Sequence, residues 1–177
     1  SKAPELKILE SADLIVCLGL RNHEVLSARS FSAKAINLDL NSNASSGFEF
    51  FRESFLDNGS EILAELRVFD WGRELVRAQR NDLVSYLSRH EFSPFLVFSH
   101  LMSWSSSNSR LVVDTGNFCT IAEHCWLSRR RDSFLGSSNS RYMGTSVPMG
   151  IAASLSNPGT VTIIVVGDGG IGMHLAE

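Results

Sequence analysis

Cysteine is scarce in this chain of 177 residues, occurring only at Cys17, Cys119 and Cys125. An odd count at these spacings gives neither a disulfide framework nor a zinc-ligand set, and reduced thiols in an intracellular protein are the expectation. Charge of one sign is lacking too. A net charge of −3 makes no electrostatic case for nucleic acid or an anionic membrane, so neither is expected as a partner. Long hydrophobic runs are missing: Leu14 to Leu18 and Val161 to Val166 are far too short to span a bilayer. No secretory signal opens the chain, which starts Ser1-Lys-Ala-Pro-Glu5 without an initiator methionine. It reads as starting within a longer, cytoplasmic protein. No internal repeat is visible. What is present is ordinary for a soluble globular protein, 44% hydrophobic and 20% charged. The length allows one sizeable core or parts of two smaller domains.

Along the chain, Leu6 to Ala12 reads as the end of a helix, followed by buried strands at Leu14–Leu18 and Ala35–Leu40. The connection between them includes a helical candidate, Glu24 to Ser30, so the pair suggests a parallel, Rossmann-like unit. Residues 41 to 60 carry turn chemistry without a strong period, which suits a domain boundary. From Glu61 to His90 apolar residues recur at helical spacing, with Gly72 separating two helices. Pro94 opens a short helix to Trp104. Arg110 to Asp114 is a strand with Thr115-Gly116-Asn117 as its turn, and Ile121 to Leu127 is helical. After a polar loop come a small-residue helix, Ser146 to Leu155, and the last strand from Val161. This alternation predicts an α/β fold with parallel sheets.

The most informative run is Val161-Thr-Ile-Ile-Val-Val-Gly167-Asp168-Gly169-Gly170, a β-branched strand leading into glycines and a helical pattern. It places one carboxylate and several backbone N–H groups at a helix start, where phosphates and their metals bind. Gly167-x-Gly169-x-x-Gly172 formally matches the dinucleotide fingerprint, but alone that match is weak. The fingerprint normally sits on the first strand of its domain, with an acid about 20 residues later. Asp168 between the glycines suits a hard divalent cation better, since Mg2+ takes one or two carboxylates plus substrate phosphates and waters.

With two further blocks in the same order, the chain resembles thiamine diphosphate-dependent enzymes of the acetolactate synthase, pyruvate oxidase and 2-oxoacid decarboxylase group. Val112-Val-Asp-Thr-Gly-Asn-Phe-Cys-Thr120 is similar to the strand and turn opening the diphosphate-binding domain. Tyr142-Met-Gly-Thr-Ser-Val-Pro-Met-Gly-Ile-Ala-Ala153 is similar to the helix beneath the aminopyrimidine, and Gly167–Gly170 with Glu177 to the metal motif. The blocks align with acetolactate synthases without insertion, a joint register more specific than any one motif. Residues 1–45 resemble the end of the central Rossmann-like domain, 46–93 form a helical linker region, and 94–177 begin the cofactor domain.

The resemblance implies thiamine diphosphate and Mg2+ as cofactors, with a 2-oxoacid such as pyruvate as substrate. It makes Asp168 a metal ligand, although aspartate is also a favoured helix N-cap. It places Gly116, Asn117, Thr120, Arg141, Met143, Gly167, Gly169 and Gly170 about the cofactor. Thr120 stands where a bulky apolar residue bends the cofactor into a V, and Arg141 where a glycine carbonyl receives the 4′-amino group. Asn117 is equally a simple turn residue, and packed or exposed roles are preferred for His124 and His174. Arg21 and Asp39 match flavin-contacting positions of relatives, but Asn22-His23-Glu24 departs from that pattern and FAD gains no support. The activating glutamate is implied to come from a neighbouring subunit, so a homodimer or homotetramer is expected and this chain alone should be inactive. Two alternatives stand beside this reading: a non-catalytic homologue, motivated by Thr120 and Arg141, and a nicotinamide-nucleotide-binding Rossmann protein.

Overall fold

The computed structural model describes residues 4–18, 33–39, 50–55, 61, 64, 71–137 and 141–174. Two compact units divide the chain, Ser1–Leu83 and Val84–Glu177. The helical candidate at Glu24 to Ser30, Arg21, Glu177 and most of residues 61–70 lie outside the described residues.

In the first unit, helix α1 (Pro4–Glu10) precedes strands β1 (Leu14–Leu18), β2 (Lys34–Asp39) and β3 (Phe50–Phe55). They form a parallel sheet in the order β1-β2-β3. Alternation along β1 buries Ile15 and Cys17, which join Ala33 and Ala35 in a small core against Leu9 and Ala12. Burial pushes the Cys17 thiol pKa up, as expected of a packed rather than a reactive cysteine. Strand β3 falls in a stretch read as turn-rich and is a finding of the structure. Helix α2 (Arg73–Leu87) begins directly after Gly72.

The second unit alternates helix α3 (Pro94–Trp104), strand β4 (Ser109–Val113), helix α4 (Asn117–Cys125), strand β5 (Phe134–Gly136), helix α5 (Ser146–Ser156), strand β6 (Val161–Val165) and the single turn α6 (Asp168–Gly172). Its sheet is parallel, in the order β5-β4-β6. The central strand β4 is buried along its whole length, as a parallel strand covered on both faces must be. Leu111 and Val113 face one way, into a core with Phe95 and Phe98 of α3 and Cys119, Ala122 and Cys125 of α4. Helix α5 covers the other face, and Gly150 lets it approach so closely that a Cβ there would collide with Ile164. The expected α/β architecture with parallel sheets is therefore present. Strand β5 was not anticipated, and α4 starts at Asn117, earlier than its periodicity suggested. No helix among the described residues is long and apolar enough to cross a membrane.

Candidate functional site

In parallel α/β sheets, ligands bind outside the carboxyl ends of the strands. In the second unit that edge gathers Asp114–Gly116 after β4, Val166 and Gly167 after β6, and the residues leading into α5, Arg141–Thr145. The hub is Asp114, only 1% exposed. Its backbone N–H donates to Val165 C=O at 2.9 Å, tying β4 to β6 where they end. Its carboxylate accepts the Gly144 N–H at 2.8 Å and the Ser146 N–H at 3.4 Å. Thr145 supplies no side-chain cap to α5, so Asp114 acts as the capping anion from 32 residues away.

The same carboxylate explains a glycine of the terminal turn. Gly170 is buried, and a Cβ there would run into the Asp114 carboxylate and lie 2.8 Å from Val166 Cγ2. Gly144 has φ +80, a left-handed conformation glycine adopts without cost. The two blocks nominated by sequence meet here: Met143 Cε is 3.6 Å from where a Gly169 Cβ would stand. Thr115 and Thr145 hydroxyls both donate to the Tyr142 carbonyl, at 3.2 and 3.1 Å, holding the loop before Met143. The Phe118 ring packs between strand ends. A Cβ on Gly116 would fall 2.6 Å from its Cε1, and one on Gly167 would fall 3.6 Å from the same atom.

Asp168 is exposed at the first position of α6. The first hydrogen bond of that turn runs from Ile171 N–H to Gly167 C=O at 2.9 Å, so the N–H groups of Asp168, Gly169 and Gly170 precede the helical ladder. Gly167 and Gly169 differ from Gly170. Neither has positive φ, and a Cβ at either would make only ordinary contact. Packing does not demand glycine at these two positions.

Asn117 and Thr120 lie exposed on α4, where the Thr120 carbonyl is 2.6 Å from His124 Nδ1. Arg141 turns its side chain toward the same helix: Nη2 donates to Glu123 Oε2 at 3.1 Å and Nη1 approaches Cys119 Sγ at 3.9 Å. Its backbone is held at φ +49, the one positive φ outside glycine among the described residues. Desolvation, with the Glu123 carboxylate close by, pushes the Cys119 thiol up to about 11. Sequence reasoning missed two side chains of the site. In the sequence Asp114 stands out only as part of a strand and its turn, and a packed or exposed role is preferred for His174, yet His174 Nε2 lies 2.6 Å from the Gly144 carbonyl. The available signal for Asp114 is a lone acid directly after the apolar run Leu111-Val-Val113.

As a donor set, the edge offers one open carboxylate, backbone N–H groups and glycines that leave room above them. No cluster of three or more His, Cys, Asp or Glu occurs among the described residues. A cation here would therefore be shared with ligand oxygens, the habit of Mg2+ on a diphosphate. These features lie together at one open edge of a parallel α/β domain. Residues 114–177 match the family model for the thiamine pyrophosphate enzyme C-terminal TPP binding domain. No curated protein matches the chain.

Proposed function

We propose that this chain carries the diphosphate side of the active site of a thiamine diphosphate- and Mg2+-dependent carboligase or decarboxylase acting on a 2-oxoacid, similar to acetolactate synthase. The observation carrying this reading is the meeting of the Met143–Gly144 loop with the Gly167–Gly170 turn at the ends of adjacent parallel strands. Asp168 would hold the metal, while the N–H groups of Gly169 and Gly170 face the diphosphate and Gly167 keeps the approach open. Met143 would lie against the aminopyrimidine, and the Arg141 backbone, in a glycine-like conformation, would present its carbonyl to the 4′-amino group. Gly116, Asn117 and Thr120 belong to the strand end and helix flanking the cofactor. When bound, thiamine diphosphate would supply the carbanion chemistry at C2 that decarboxylation of a 2-oxoacid needs. This chain's own residues bind and orient that group, and a second subunit completes the site as a homodimer or homotetramer.

The test is CO2 release from pyruvate and related 2-oxoacids by the intact protein supplied with thiamine diphosphate and Mg2+. Cofactor-dependent release supports the proposal. Cofactor binding without release from any 2-oxoacid would favour the non-catalytic alternative, which the polar Thr120 and the Glu123-directed Arg141 side chain motivate. The nucleotide-binding alternative is weaker. The glycine-rich turn follows β6, a strand with a neighbour on one side only among the described residues, whereas the central strand is β4.

A further inference from the structure

Gly144 is held at both of its backbone polar groups, one by a side chain at a strand end and the other by a side chain beyond the last helical turn. Asp114 at the end of β4 accepts its N–H at 2.8 Å, and His174 beyond α6 contacts its carbonyl through Nε2 at 2.6 Å. A carbonyl oxygen can only accept, so Nε2 carries the proton and the imidazole is fixed as a donor. The contact is close on every side. A Cβ at Gly144 would stand 3.1 Å from His174 Nε2, 3.1 Å from Met173 Sδ and 3.4 Å from the Gly170 carbonyl oxygen. The loop bearing Met143 is thus pressed onto the turn bearing Asp168, and His174 is the side chain of that turn's own extension that bonds it there.

We infer that His174 is a positioning residue: by donating from Nε2 to Gly144 C=O it fixes the Met143–Gly144 backbone against the metal-binding turn. This role rests on the functional reading above. A histidine present only to fill space could be exchanged for any side chain of similar bulk, whereas a positioning donor needs an N–H at the right reach. His174→Leu keeps the bulk and removes the donor, leaving the Gly144 carbonyl unpaired, while His174→Gln retains an N–H donor.

Calorimetric titration of the protein with thiamine diphosphate in the presence of Mg2+ separates these cases. His174→Leu should raise Kd about tenfold, because binding must then re-fix a loop that has lost the restraint of one hydrogen bond, and His174→Gln should recover most of that loss. Nitrogen NMR of the ligand-free wild type gives an independent readout and should show the Nε2–H tautomer. Equal affinity of wild type and His174→Leu, or an Nδ1–H tautomer, would overturn the positioning role while leaving the functional reading intact. A wild type that binds no thiamine diphosphate would overturn both.

Discussion

Asp114 does at the scale of one side chain what several separate caps do elsewhere. It is buried, it receives two backbone donors from the loop before α5, and it occupies the space that Gly170 leaves free. Asp114→Ala should leave two buried N–H groups unsatisfied and lower stability by about 2–3 kcal/mol, measurable by urea unfolding. Cys119 offers a second check. Its thiol pKa is raised from 9.0 to about 11, first by burial and then by Glu123. The folded chain therefore keeps a proton that the unfolded chain loses between those values. Stability should be unaffected by this group below pH 9 and fall as pH rises toward 11, a slope that Cys119→Ala should remove. Individual residues of this kind were the least legible in the sequence. Asp168 announced itself between glycines, but nothing local to Asp114 or His174 says that each will meet a backbone 30 residues away.

Elements were more legible, for a physical reason. Strand β1 is a continuous apolar run and α3 opens at Pro94, so local chemistry marked both. Strand β5 is three residues, too short to show any period, and exists because Phe134–Gly136 pair with Leu111–Val113. Strand β3 is likewise stabilised by pairing with β2 rather than by a signal of its own. At α6 the choice of residues runs against the element. Glycine disfavours a helical turn, yet Gly169 has neither positive φ nor a neighbour that a Cβ would strike. Gly169→Ala should therefore raise thermal stability by roughly 0.5 kcal/mol while weakening thiamine diphosphate binding. Tightened or unchanged binding in that variant would show that the open space above the turn serves no ligand.

For the whole molecule, the decisive feature is the order of the second sheet. With β4 between β5 and β6, the two longest strands end side by side, and everything the loops carry converges on one edge. Sequence alone indicated parallel strands and the motif register; adjacency follows only from pairing across the chain. The family match over residues 114–177 covers this same edge. At the centre of the proposed function, Asp168 binds a divalent cation shared with the diphosphate of thiamine diphosphate. Calorimetric titration with thiamine diphosphate, with and without Mg2+, tests it in wild type and Asp168→Ala. Binding should depend on Mg2+ and be abolished by Asp168→Ala without unfolding of the protein, because Asp168 is exposed at its turn. Binding that is indifferent to Mg2+, or unchanged affinity in Asp168→Ala, would contradict it.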